Sequence, residues 1–306
     1  MNPPRLVCFG NFSIDDIFLP DGNERRACVG GDAVFAALGA RLWEPSTEIV
    51  APVGNDLPDA VLQSIADAGF RVDLLGRRPY PTLHNRVVYD SCGGREWTLF
   101  ASEEIFHELS PRPSDIPEQF LEADAFLVLA MTLTAQETLL EFLRKSTRAV
   151  LALDLQEDYI FGNEDRILKL LTKTDIFLPS AEEVHRLIGI DDWSSAARYF
   201  ASLGPSLVII KLGNEGCLVF DANQDTVLQI PPFTVSDILD TTGAGDSFCG
   251  GFVAALTGKR WNVKKAARAG AISASYAIAS YGIDSLLAAT AKNAMRQLAT
   301  WRPSTG

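Results

Sequence analysis

Apolar residues in this chain fall into short runs bounded by glycine or polar residues, and the spacing alternates between strand-like and helix-like. Residues 5–10 carry Leu-Val-Cys-Phe ahead of Gly10, which predicts a short buried strand running into a turn. Residues 33–42 are small and helical, and residues 48–53 are strand-like before Gly54-Asn55-Asp56. Residues 57–68 have helical spacing, with Gly69 as a C-terminal stop. From residue 123 onward the alternation is regular. Residues 125–130, 149–155, 175–178 and 207–211 predict buried strands of a parallel sheet, and residues 135–145, 181–188 and 194–203 predict the helices between them. Residues 217–220 and 226–230 bracket Asp221-Ala222-Asn223 as a hairpin, and residues 247–256, 263–280 and 285–298 predict the last helices. This pattern predicts an α/β layered body with right-handed crossovers, in which ligands gather at the carboxyl ends of the strands.

Residues 79–101 break the rhythm: they are polar and alternating, with Arg86-Val87-Val88-Tyr89 and Glu96-Trp97-Thr98-Leu99-Phe100 around Gly93-Gly94. That is a hairpin pattern, and with residues 12–28 it predicts a small sheet outside the body, covering something. Arg86 and Arg95 in this sheet would bind a carboxylate or phosphate if they face inward, or guard a strand edge if they do not. Residues 1–306 read as one domain, with no internal repeat or low-complexity linker.

Composition narrows the partners. A net charge of −12 argues against nucleic acid, whose phosphates would be repelled, but allows a nucleotide held by a local nest of amides. No apolar run approaches membrane-spanning length. Five cysteines without a Cys-x-x-Cys pair, together with the lack of a secretory pattern, lead us to expect a reduced cytoplasmic setting. Cysteines and the 3 histidines are too scattered for a zinc site, and no Gly-x-Gly-x-x-Gly follows the first strand, as a dehydrogenase would need.

The chemistry concentrates in Asp240-Thr241-Thr242-Gly243-Ala244-Gly245-Asp246-Ser247-Phe248. Gly243, Ala244 and Gly245 lack bulk, so their N–H groups can converge on an anion just where a helix begins and adds partial positive charge. Asp246, beside that anion hole, makes sense as the acceptor of a proton from an attacking hydroxyl in phosphoryl transfer. Three other segments point the same way: Gly10-Asn11-Phe12-Ser13-Ile14-Asp15, then Gly30-Gly31-Asp32-Ala33, then Lys211-Leu212-Gly213-Asn214-Glu215-Gly216.

In this order the segments resemble the ribokinase-like (PfkB) family of carbohydrate kinases, over roughly residues 5–290. The resemblance implies a three-layer α/β sandwich with a mostly parallel central sheet and a small β-sheet lid. It also implies ATP as donor, Mg²⁺ as helper, a sugar or similar polyol as acceptor, and no role for nucleic acid or membrane. Matched residue by residue, it implies Asp246 as general base and the amides of Gly243, Ala244 and Gly245 as anion hole. Lys211, Gly213, Gly216, Thr242 and Ser180 would border the nucleotide, and Glu183 would hold Mg²⁺ through water. Asp15, Gly30, Gly31, Asp32 and Arg86 would meet the acceptor. Asp240 and Thr242 would take a monovalent cation, K⁺ for instance, or simply cap the turn. Lys211 could equally be a solvated strand-end lysine, and Asp15 a surface carboxylate.

Three positions depart from the family pattern. Phe35 replaces an Asn, as helix core or as a stacking platform for a ring-bearing acceptor; Ser180 replaces the Asn of Asn-x-x-Glu; and no Arg follows Asp154 at position 158. The departures keep two alternatives open: a nucleoside kinase of the same fold, and a nucleotide-binding regulatory homologue without turnover. An exposed lid sheet would also allow a homodimer.

Overall fold

The computed structural model describes residues 3–91, 94–258 and 261–301. Its strands, in chain order, are β1 (Leu6–Phe9), β2 (Ser13–Phe18), β3 (Glu24–Gly30), β4 (Thr47–Val50), β5 (Leu83–Tyr89), β6 (Arg95–Leu99), β7 (Ala125–Val128), β8 (Val150–Leu153), β9 (Ile176–Phe177), β10 (Leu207–Lys211), β11 (Cys217–Asp221) and β12 (Thr226–Ile230). Its helices are α1 (Asp32–Arg41), α2 (Asp59–Asp67), α3 (Glu103–Glu108), α4 (Leu133–Ser146), α5 (Glu164–Leu170), α6 (Ala181–Ile188), α7 (Trp193–Leu203), α8 (Ala244–Thr257), α9 (Val263–Ala277), α10 (Asp284–Ala288) and α11 (Ala291–Thr300).

Eight strands form the central sheet in the order β12-β11-β10-β9-β8-β7-β1-β4, parallel from β10 to β4, with β11 and β12 added antiparallel at one edge. The runs are apolar throughout because both faces are covered. On one face Leu6, Cys8, Leu127, Ala152 and Ile209 meet α1, α8 and α9. On the other, Val7, Phe9, Phe126, Leu151, Val208 and Ile210 meet α4, α5, α6 and α7. The result is three layers, as the alternation of runs predicts. No helix among the described residues is long and apolar enough to cross a membrane.

β2, β3, β5 and β6 form a separate sheet in the order β3-β2-β5-β6, with β2 and β5 parallel. Its strands fall in the two segments expected for a lid, although β3 runs on to Gly30. Gly93 of the expected turn lies outside the described residues, as does the side chain of Arg95. The predicted helix at residues 285–298 is two helices, α10 and α11. Thr290 divides them, because its hydroxyl accepts the Asn293 N–H and starts a new helix.

One contact fixes the site. α1 and α8 approach so closely that a Cβ on Gly250 would lie 1.9 Å from the Ala36 carbonyl oxygen, and one on Gly39 would lie 2.6 Å from that of Ser247. Only glycine permits this spacing, and it locks the start of α8 against α1.

Candidate active site

α8 begins three residues earlier than its apolar pattern suggests, with Gly243 as its N-cap in the left-handed region (φ 73°). No side chain caps this terminus. The first N–H groups of a helix have no partner within its own ladder. Here the Ala244 N–H turns back to the Thr241 carbonyl at 3.4 Å, and the turn over Gly243, Ala244 and Gly245 stands at the positive end of α8. The floor of the turn is Phe35, which is 1 % exposed. Its ring lies where any side chain on residue 243 would go, 2.2 Å from an added Cβ. Phe35 is therefore helix core with no face left for an acceptor to stack on, which corrects the alternative role set out for it.

Asp246 lies in the first turn of α8, half-buried, beside Asp32 at the start of α1. Burial first, and the Asp246 charge second, push the Asp32 carboxyl well above its ordinary range, while an Asn11 hydrogen bond pulls the other way. Asn11 Nδ2 also donates to the Ala130 carbonyl at 3.0 Å, tying the turn after β1 to the end of β7.

Asp15 is not a surface carboxylate: it is 3 % exposed, on the inner face of the lid. Asn85 Nδ2, on the neighbouring strand β5, donates to Asp15 Oδ1 at 2.7 Å. Burial pushes the Asp15 carboxyl up to about 6, against the opposing hydrogen bonds from Asn85 and Ser13, and the charge of Asp240 adds to the rise. Gly30 and Gly31 allow the end of β3 to pass directly over this segment. A Cβ at Gly30 would sit 2.3 Å from Asp15 Oδ2, and one at Gly31 2.2 Å from the Asn11 carbonyl oxygen. Arg86 departs from the acceptor role expected of it. Strand alternation sends it to the face opposite Asn85, where it is exposed and its guanidinium lies 4.6 Å from the Phe18 ring centroid.

Lys211, at the end of β10, is no solvated lysine. Its Nζ donates to both oxygens of Asp154, at 2.7 and 2.6 Å, and lies 3.7 Å from Cys249 Sγ. Burial is the largest single effect and works against the ammonium, but the charge and hydrogen bond of Asp154, with Cys249 and Glu183 beside it, together raise the Lys211 pKa. The same Nζ is 3.5 Å from the position a Cβ would take on Gly245, directly behind the turn into α8. Glu183 is buried next to this pair, and burial followed by the Asp154 charge pushes it up to about 7.

Ser180 caps α6. Its hydroxyl accepts the Glu183 N–H at 3.2 Å while Glu183 Oε2 accepts the Ser180 N–H at 2.5 Å, a reciprocal cap on α6 that uses the Ser180 oxygen as acceptor and leaves its O–H as a donor. The 213–216 loop runs along the same end of the sheet, with Gly213 (φ 57°) open on its Cβ side and Gly216 (φ 88°) pressed on the Ile230 carbonyl oxygen.

Asp240 is 2 % exposed, and its Oδ1 accepts the Thr242 N–H at 2.9 Å. The same oxygen accepts the hydroxyl of Tyr89, from the lid, at 2.6 Å. Thr242 Oγ1 is buried with no hydrogen-bond partner. No cluster of three or more His, Cys, Asp or Glu among the described residues could hold a metal by itself. Asp154, Asn85 and Tyr89 are the site's additions to the sequence reading. Asp154 stood at a strand end, and Asn85 shares the buried alternation of Leu83 and Val87, but nothing local marks Tyr89.

The comparisons with known proteins converge. Residues 4–289 match the family model described as pfkB family carbohydrate kinase. The chain is 31% identical over 255 residues to the cytidine kinase of Thermococcus kodakarensis, covering 81% of this chain and 87% of that one. Over 155 residues, 47% of each chain, it is 32% identical to the aminoimidazole riboside kinase of Salmonella typhimurium. The solved nucleoside kinase of Burkholderia thailandensis, in complex with inosine, superposes with a TM-score of 0.81 at 16% identity, covering 96% of this chain and 97% of that one. The ribokinase of Giardia lamblia superposes at 0.80 and 17% identity, covering 96% and 99%. With a mostly parallel central sheet, a separate four-stranded sheet and a family match over residues 4–289, this chain belongs to the pfkB family of carbohydrate kinases.

Proposed function

We propose that this kinase transfers the γ-phosphoryl group of ATP to a hydroxyl of a sugar or sugar-like small molecule, with Asp246 as general base. The observation that carries the reading is the Gly243–Asp246 turn, held on Phe35 at the head of α8 and facing the lid. The acceptor oxygen attacks phosphorus as the bond to the β-phosphate oxygen breaks, ADP leaves, and the hydroxyl proton passes to Asp246. The amides of Gly243, Ala244 and Gly245 stabilise charge on the moving group, each such donor contributing roughly 2.7–4 kcal/mol. The Lys211–Asp154 ion pair stands behind Gly245 and adds a fixed dipole there. Asp15, Asn85 and Asp32 line the acceptor side, where uncharged hydroxyls suit buried acceptor oxygens better than an anion does.

Asp154 and Glu183 are the residues that would hold a hydrated Mg²⁺: burial first, and the Asp154 charge second, raise the Glu183 carboxyl, and a cation beside the two would offset both. When bound, Mg²⁺ screens the phosphates of the nucleotide. The buried, unpartnered Thr242 Oγ1 beside Asp240 supports a monovalent cation there. Exposed Trp97 and Phe100 at the outer edge of the lid support pairing with a second copy.

A nucleoside acceptor is favoured by one observation, the cytidine kinase relative that spans 81% of the chain. The test is ADP release across a panel of free pentoses, hexoses and nucleosides, with cytidine included. Asp246→Asn is expected to lower kcat on the active acceptor by about 10²–10⁴ while circular dichroism stays unchanged. Turnover in that variant equal to the parent would remove the mechanism. Binding of nucleotide with no turnover on any acceptor would leave a regulatory homologue.

A further inference from the structure

Tyr89, the last residue of β5, reaches out of the lid to the stretch leading into the anion turn. Its hydroxyl donates to Asp240 Oδ1 at 2.6 Å, accepts the Thr241 N–H at 3.0 Å and lies 3.2 Å from Thr241 Oγ1. The Asp240 oxygen it reaches is also the one that accepts the Thr242 N–H, so the same few atoms shape the backbone just before Gly243. Four residues earlier on the same strand, Asn85 holds Asp15. Asp15 and Asp240 in turn are near enough for each to feel the other's charge. One lid strand thus grips the acceptor carboxylate at one point and the approach to the phosphate turn at another.

We infer that Tyr89 is a positioning residue whose hydroxyl clasps the lid to the anion turn, so that a lid lowered over the acceptor sets the turn in the shape that binds nucleotide. A hydrogen bond to a buried carboxylate is among the stronger neutral-donor contacts. Lifting β5 breaks the contacts to Asp240 and Thr241 together and leaves a buried oxygen and a backbone N–H short of a partner. The raised lid therefore goes with a loosened turn. Linkage then requires acceptor and nucleotide to tighten each other's binding. The effect on turnover rests on the phosphoryl-transfer reading; the clasp itself does not.

Tyr89→Phe keeps the ring and the strand while removing the hydroxyl. In the protein without ligand, hydrogen exchange of the Thr241 amide is expected to speed up about tenfold, with amides of β1 and β7 unchanged. Asp240→Ala added to Tyr89→Phe should accelerate that exchange by less than the product of the two single effects. Val88→Ala, a packing change at the same strand end, should leave it unchanged. With the acceptor from the panel, the tightening of a non-hydrolysable ATP analogue should shrink at least about fivefold in Tyr89→Phe. Unchanged Thr241 exchange in Tyr89→Phe, additive effects, or the same acceleration in Val88→Ala would each overturn the clasp. Failure of every acceptor in the parent protein would count against phosphoryl transfer alone, because the exchange readout needs no acceptor.

Discussion

At the scale of single residues, the cleft is built from carboxylates kept away from water, and Asp15 shows the consequence. Its pKa of about 6, against an ordinary 3.8, means that the folded chain keeps a proton that the unfolded chain has released across that interval. Stability contributed by this group is therefore fully present below pH ~4, falls as pH rises to ~6, and stays lower above it. Asp15→Asn keeps an oxygen for Asn85 to bond and removes the titration. At pH 7.5 the variant is expected to be about 1–3 kcal/mol more stable to urea than the parent, with the difference vanishing near pH 4. Its acceptor KM should rise at the same time. Stability curves that run parallel from pH 4 to 7.5 would contradict this account of Asp15.

At the scale of elements, the turn depends on what lies beneath it. Gly243→Ala would force a side chain into the left-handed region and into the Phe35 ring 2.2 Å away. A loss of about 2–4 kcal/mol and at least tenfold in nucleotide affinity is expected. Phe35→Leu in the same chain should return part of the stability but not the conformational strain, as thermal melts of the single and double variants will show. The strands and helices of the body were legible because runs buried on both faces and glycine stops are local signals. The glycine turn into α8 was legible for the same reason, being a local signal too. Tyr89 and Asp240 are 151 residues apart, and Lys211 and Asp154 are 57 apart, so no spacing could announce either pair. Arg86 was misplaced because a strand's inner face cannot be assigned until its neighbour Asn85 is seen to hold Asp15. The capping role of Ser180 was not read from the sequence, because a helix cap and a ligand contact ask for the same hydroxyl.

At the scale of the whole molecule, an acidic chain of net charge −12 brings Asp15 within range of the Asp240 charge and Asp32 within range of the Asp246 charge. On the phosphoryl-transfer reading proposed above, an uncharged polyol would enter among these acids at little electrostatic cost. Its phosphate ester carries close to two negative charges at neutral pH and is bound against that field. The dissociation constant of the phosphorylated product should fall about two- to fivefold between ~0.01 and ~0.15 M salt, while that of the acceptor barely moves; titration calorimetry at both salts checks this. Such a chamber is selective in time as well as in shape. On that reading, the guest it admits would become, by the act of being marked, the guest it ejects, and the same acids that greet the incoming molecule would hasten the next vacancy.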